Sequence, residues 1–433
     1  MFYRVQTAAV RLLIVALLAV GLTVPAEAAA DSPVPPDSVR TVAYVGGHVW
    51  DGERFTERTL YARDGRFVGP ESAPDTTVDL RGGYVVPAFG DAHSHSLGAG
   101  GYSAVLADEL FMRDGIFYAL DLTNPYSNVR EVRETFAQPQ TLDVAFALGG
   151  LSTSSGDRPH PAVAMESVYG DDDGEWTLER DAYWFMDSLA DVEAKWPAFL
   201  AQEPDVVKVY VMYADGGRAE GDVCGYGLCP AVLREVVRRS HAAGLRVFAH
   251  VNTAADVRVA LDAGVDALAH IPLGNDGISA EASGPFVLDD ETIRQIGDLG
   301  MTVTPTALLL AGDVEDLGAD TLQQEIALQR DQLRLLHEAG AQLALSGHDW
   351  RVTALREATY LHAYGVFDNR ALLKLWAETT PQAIFPERLI GRLVEGYESS
   401  FLVLGGDPVE DFSAVRDIRL RVKQGYVLPS PSP

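Results

Sequence analysis

The stretch that decides the fold is residues 85–96, VVPAFGDAHSHS. An apolar run from Val85 to Phe89 ends in Gly90 and then presents Asp91, His93 and His95. Side chains on an extended strand alternate between its faces, so His93 and His95 point the same way at the strand's mouth. Taken alone, the pair suits a solvated strand end as well as it suits a pair of ligands. The rest of the chain separates the two readings.

Working outward, eight stretches read as strands: 84–89, 116–122, 142–148, 206–212, 245–250, 267–271, 301–306 and 342–345. Helical patterns lie between most of them, such as PAVLREVVRRSHAAG (230–244), TAADVRVALDAG (253–264) and DDETIRQIGDLG (289–300). Each of these three ends in the glycine that closes a helix. The alternation predicts an α/β fold, a (β/α)8 barrel over 84–382. A doubly wound sheet is the structural rival, with a different pattern of ligands. The flanks, 41–69 and 391–428, are short strands broken by Gly and Asp turns. They predict one small β-sandwich built from both chain ends, with parts at 38–83 and 383–428.

The chain has 433 residues, 47% of them hydrophobic, enough for a large core. Residues 1–30 read as a secretory signal: Arg4 and Arg11, an apolar stretch to Val24, then Ala26-Glu27-Ala28. The rival is an uncleaved anchor, against which stand Pro25 and the small residues after it. The expectation is export to the periplasm or the extracellular space, with no stable membrane insertion after cleavage. The net charge of −28 repels nucleic acid and anionic lipid, so no nucleic-acid partner is expected. The only cysteines, Cys224 and Cys229, would form a small disulfide in an oxidising compartment or remain two thiols.

Polar residues that carry chemistry sit in or at the carboxyl ends of separate strands: Lys208 in DVVKVYV, His250 closing RVFAH, His270 closing DALAH, and Asp349 after LALSGH. In a (β/α)8 barrel these ends converge on one face. Lys208 is the most informative of them. An amine inside an apolar strand, with Val206 and Tyr210 on its own face, is costly to desolvate unless paired or neutralised. The chain has four lysines against thirty arginines, yet lysine stands here. An amine of shiftable pKa can react with carbon dioxide to give a carbamate; a guanidinium cannot substitute for it.

On these residues the chain resembles the metal-dependent amidohydrolase superfamily over nearly all its length past the signal. The resemblance rests on GGYVVPAFGDAHSH (82–95), the strand-four Lys208, the strand-five and strand-six His250 and His270, the strand-eight Asp349 and the closing GRLVEGYESSFLVLGGDPVEDF (391–412). Within the superfamily it is similar to the imidazolonepropionase-like and Xaa-Pro-dipeptidase-like branch. The resemblance implies that His93, His95 and Asp349 hold one of two divalent metal ions. It implies that Lys208, N6-carboxylated, bridges to a second ion held by His250 and His270, and the donor types suit Zn2+. The strand-eight end departs from the family's usual Gly-Thr-Asp or Gly-Ser-Asp: here it is Gly347-His348-Asp349. His348 is read as a second-layer group, a substrate contact or an extra ligand, with preference for the first two.

The implied reaction is hydrolysis of an amide-type C–N bond in a small molecule: a dipeptide, an N-acyl amino acid or a cyclic amide. Asp349 would act first as base and then as acid. Substrate contacts are expected from His160, Tyr210, Arg218 and His348. A lactonase or esterase would use the same residues on an ester. A non-catalytic exported binding protein on this barrel is the rival from another class, and filled ligand positions weigh against it. His48, His241, His337 and His362 read as packing or surface residues.

Overall fold

The strand expected over 84–89 turns out to be two. Tyr84–Pro87 pairs with Phe401–Leu404 and His48–Trp50 in an outer sheet, whereas Phe89–Ser94 pairs in parallel with Ile116–Asp121. One extended segment therefore serves two sheets. The changeover falls just after Pro87, which has no N–H to give to either ladder. His93 thus lies within a strand and His95 just past its end.

The computed structural model describes residues 40–71, 73–154, 179–212, 227–272, 286–308, 319–348 and 352–429. Phe89–Ser94 is the first of eight parallel strand positions, and seven follow it. They are Ile116–Asp121, then Asp143–Phe146 continuing into Gly150–Ser152, Val207–Val211, Val247–Val251, Ala267–Leu268, Thr302–Val303 and Gln342–Leu343. The ring closes where Ala92 N–H donates to the Leu345 carbonyl at 2.8 Å. The (β/α)8 barrel is therefore observed. Strands one, two and four are buried at every position, as strands with a packed interior and a helical coat must be. An unexpected extra strand, Tyr183–Phe185, lies beside Gly150–Ser152.

The three helices ending in glycine form Pro230–Ala242, Ala254–Ala263 and Asp290–Asp298. Their closing glycines, Gly244, Gly264 and Gly300, all have positive φ. Thr253 and Asp256 start the second helix with a reciprocal capping box. Under the barrel, Trp376 stacks on Phe89 with ring centroids 3.8 Å apart and donates to the Gly90 carbonyl. A Cβ at Gly90 would meet Thr380 Cγ2 at 2.9 Å and Pro381 N at 3.0 Å, so only glycine lets this helix approach.

Both chain ends contribute to the β-rich module. A four-stranded sheet comes from the N-terminal part, and a six-stranded sheet sets three C-terminal strands beside three N-terminal ones. A buried charge cluster ties this module to the barrel's amino end. The fully buried Lys423 donates to Asp143 at 2.7 Å; Arg388 reaches Asp143 at 2.8 Å and Glu398 at 2.6 Å. Tyr118 donates to the same Glu398 at 2.9 Å. Among the described residues no helix is long and apolar enough to cross a membrane.

Candidate metal centre

At the carboxyl face of the barrel, Lys208, Tyr210, His93, His95, His250, His270 and His348 form one cluster. Strand pairing sets Tyr210 opposite His250, and alternation puts Lys208 on the same inward face. The imidazole rings touch in a chain: His250 to His270 with centroids 4.5 Å apart, His270 to His93 at 4.8 Å, and His93 to His95 at 5.0 Å. Residues far apart in sequence meet here because each ends a neighbouring strand.

The hydrogen bonds fix the tautomers. His93 Nδ1 lies 2.9 Å from the Ala269 carbonyl, and His95 Nδ1 lies 3.2 Å from the Thr123 carbonyl. A carbonyl oxygen only accepts, so both Nδ1 atoms carry the proton and each neutral ring keeps a bare Nε2. These two Nε2 atoms face each other at 3.1 Å. Neither can donate, so opposed lone pairs meet at hydrogen-bond distance, an arrangement that suits a cation. Burial disfavours protonation as the remedy: it pushes His93 well below the usual histidine range and His95 down to about 4. His270 repeats the pattern. Its Nδ1 is 2.7 Å from Thr306 Oγ1, whose own proton goes to the Pro305 carbonyl, so His270 must be the donor. His250 Nε2 pairs with Asn252 Oδ1 at 2.8 Å, which leaves Nδ1 as its unprotonated nitrogen. Rings oriented in this way by a second layer of acceptors suit metal ligation.

Lys208 adds an orphaned amine. It is 1% exposed, and its Nζ has no hydrogen-bond partner among the described residues. The Nζ lies 5.6 Å from the Tyr210 ring centroid. Burial lowers its pKa to about 7, so a large neutral fraction exists near neutral pH. Five imidazoles in ring contact and a buried amine beside them suit a divalent metal ion better than they suit any organic cofactor.

A layer that the sequence did not reveal supports the ligands. Asp91 is fully buried and accepts from the backbone N–H groups of Gly347 and Ala354, clamping the end of strand eight. Glu357 accepts from Ala307 and Ser346, tying strand seven to strand eight. Asp121 accepts from Leu97 and Gly98 and so holds the loop that leaves His95. Burial raises Asp91 and Asp121 to about 7 and Glu357 to about 8, although the backbone donors oppose the rise. Thr123, Thr306 and His348 all have positive φ at strand ends, uncommon for residues with a Cβ and a mark of constrained functional backbone.

Solved structures share this architecture. An A. niger ochratoxinase superposes with a TM-score of 0.69 at 18% identity, covering 92% of this chain and 97% of that one. A Xaa-Pro dipeptidase with methionine bound in its active site gives 0.69 at 14%, covering 89% and 99%. A prolidase in complex with N-methylphosphonate-L-proline gives 0.67 at 18%, covering 90% and 99%. The chain shares the fold of these three enzymes. No protein-family model and no curated protein sequence matches it.

Within this fold, the expected residues His93, His95, Lys208, His250 and His270 are brought together. Asp349, His160, Arg218 and Cys224 lie outside the described residues. Cys229 is disulfide-bonded. Tyr210, expected near the substrate, directs its hydroxyl to Thr123 Oγ1 at 3.0 Å. His348 touches His93, His95 and His270 with centroids 4.7–5.3 Å away. The four histidines read as packing or surface residues lie away from this cluster: His48 stacks on Tyr84, His362 on Phe412, His337 meets Phe367, and His241 pairs with Asp266.

Proposed function

We propose that this chain is an exported, metal-dependent amidohydrolase that cleaves an amide-type C–N bond in a small substrate such as a dipeptide or an N-acyl amino acid. The observation that carries the reading is the pair of unprotonated Nε2 atoms of His93 and His95 converging at 3.1 Å beside the orphaned amine of Lys208. The ochratoxinase, dipeptidase and prolidase of the same fold support the substrate class.

His93, His95 and Asp349 would hold one divalent ion, His250 and His270 a second, with Lys208 as a carbamate between them and zinc as the ion. Bound there, divalent ions lower the proton affinity of water and polarise a carbonyl oxygen. The neutral fraction of Lys208 is the nucleophile that carbon dioxide requires: a new N–C bond forms and the amine releases one proton. Asp349 accepts a proton from the attacking water and returns it to the leaving nitrogen, so one carboxylate serves both halves of the reaction. Ala269, Thr123 and Thr306 hold the imidazoles in the tautomers this needs. His160 and Arg218 are the candidates for recognising the substrate's polar end.

The test is a screen of dipeptides and N-acyl amino acids, with zinc and bicarbonate supplied, using wild type beside Asp349→Asn. Wild-type turnover that falls by about 10²–10⁴-fold in the variant supports the reading. Equal rates in the two proteins would overturn the role of Asp349. Cleavage of lactones with no amide turnover would move the reading to the ester.

A further inference from the structure

His348 stands where the resemblance would put Thr or Ser, and the structure sets its ring against those of His93, His95 and His270. Its ligating nitrogen and those of His93 and His95 all lie within 4.8 Å of one another. Three independent features aim it there. Its backbone N–H donates to the His93 carbonyl at 2.8 Å, docking strand eight onto strand one at the ligand itself. Its φ of 64° turns the chain into the left-handed region, which a residue with a Cβ adopts only at a cost. The preceding residues are fixed by buried carboxylates: Gly347 donates to Asp91, and Ser346 donates to Glu357. At Gly347 a Cβ would lie 2.2 Å from the Val352 carbonyl oxygen, so the turn is closed tightly around the strand end.

We propose that His348 is a ligand of the ion held by His93 and His95, which makes that position a three-imidazole site in this chain. The inference rests on the metal reading above and refines it. Three imidazoles are a donor set that holds an ion without a bridging group, and Asp349 would be the fourth donor. The ion at His93, His95 and His348 therefore stays bound when the Lys208 bridge is removed, whereas the ion at His250 and His270 does not.

The experiment is a Co2+ titration of metal-free wild type, His348→Asn and Lys208→Met, read by visible ligand-field absorption and by competition with a chelator. Asparagine tolerates left-handed backbone, so the variant keeps the turn. His348→Gly, which any φ suits, is the second variant, and metal-free melting curves that match wild type establish that each is folded. Lys208→Met is expected to retain one ion with its absorption band. His348→Asn is expected to bind its first ion at least about 100-fold more weakly than wild type, beyond the effect of losing an orienting partner. Free imidazole added to His348→Gly should restore the band, which a packing or substrate-binding role would not produce.

First-ion affinity and spectrum unchanged in both His348 variants would overturn the proposal while leaving the metal reading intact. Wild type that takes up no cobalt would overturn both together. One ion in wild type and in Lys208→Met, lost in His348→Asn, would remove the carbamate bridge and keep the three-imidazole site.

Discussion

Replacing Lys208 by methionine should change stability in opposite directions with and without metal. In the metal-free protein the amine is 1% exposed, unbonded, and held at a pKa of about 7 instead of 10.5. A lysine with a depressed folded pKa is charged in the unfolded chain and increasingly neutral in the folded one. The unfolded state therefore binds more protons between pH 7 and 10.5, and wild-type stability falls as pH drops through that window. At pH 7.5 the difference amounts to roughly 4 kcal/mol, which methionine, of similar length and with no charge, does not incur. At about 2.1 cal/mol/K of unfolding entropy per residue, a fold of ~390 residues shifts its Tm by roughly 5 °C for that change. Metal-free Lys208→Met should thus melt about 5 °C above metal-free wild type at pH 7.5, with the gap closing towards pH 10.5. With zinc and bicarbonate the order should reverse, because only wild type gains the bridged ions. Calorimetry at two pH values, with and without metal, reads all four states. A variant that melts below wild type without metal, or a gap that does not close with rising pH, would refute the reasoning.

Other perturbations have defined outcomes. Thr306→Val removes the acceptor that orients His270 and should weaken binding of one ion by about 10–100-fold in chelator competition, leaving metal-free melting near wild type. Asp143→Ala strands the buried Lys423 and leaves Arg388 with Glu398 alone, and should cost about 3–5 kcal/mol in denaturant unfolding, without changing cobalt affinity, because the cluster sits at the opposite end of the barrel. Asp121, raised to about 7 by burial, contributes stability that is present below its ordinary value of 3.8 and is lost as pH rises through 7. The stability of metal-free Asp121→Asn relative to wild type should therefore climb by roughly 4 kcal/mol between pH 4 and 8, and then level off. A flat difference across that range would show that Asp121 is not desolvated as the structure has it.

Much of this protein is legible in its sequence because strand ends converge. His93, Lys208, His250 and His270 each close or interrupt an apolar run, and a barrel brings such positions together whatever their separation along the chain. The split at Pro87 was not legible: residues 84–89 make one unbroken apolar run, and nothing local says that two sheets share it. The supporting layer was hidden for a different reason. Asp91, Asp121 and Glu357 act by accepting backbone N–H groups from distant strands, and no spacing encodes which backbone a carboxylate will meet. His348 shows a third limit, since sequence offered it as a second-layer group, a substrate contact or an extra ligand. The left-handed turn at the strand end, the backbone bond to His93 and the carboxylates that fix Ser346 and Gly347 together set its ring against His93 and His95.

The most direct measurement is the metal content of the protein purified with zinc and bicarbonate, wild type beside Lys208→Met. About two ions per chain in wild type and about one in the variant is the expected result. Wild type with no bound metal after zinc loading would contradict the metal-dependent reading at its root.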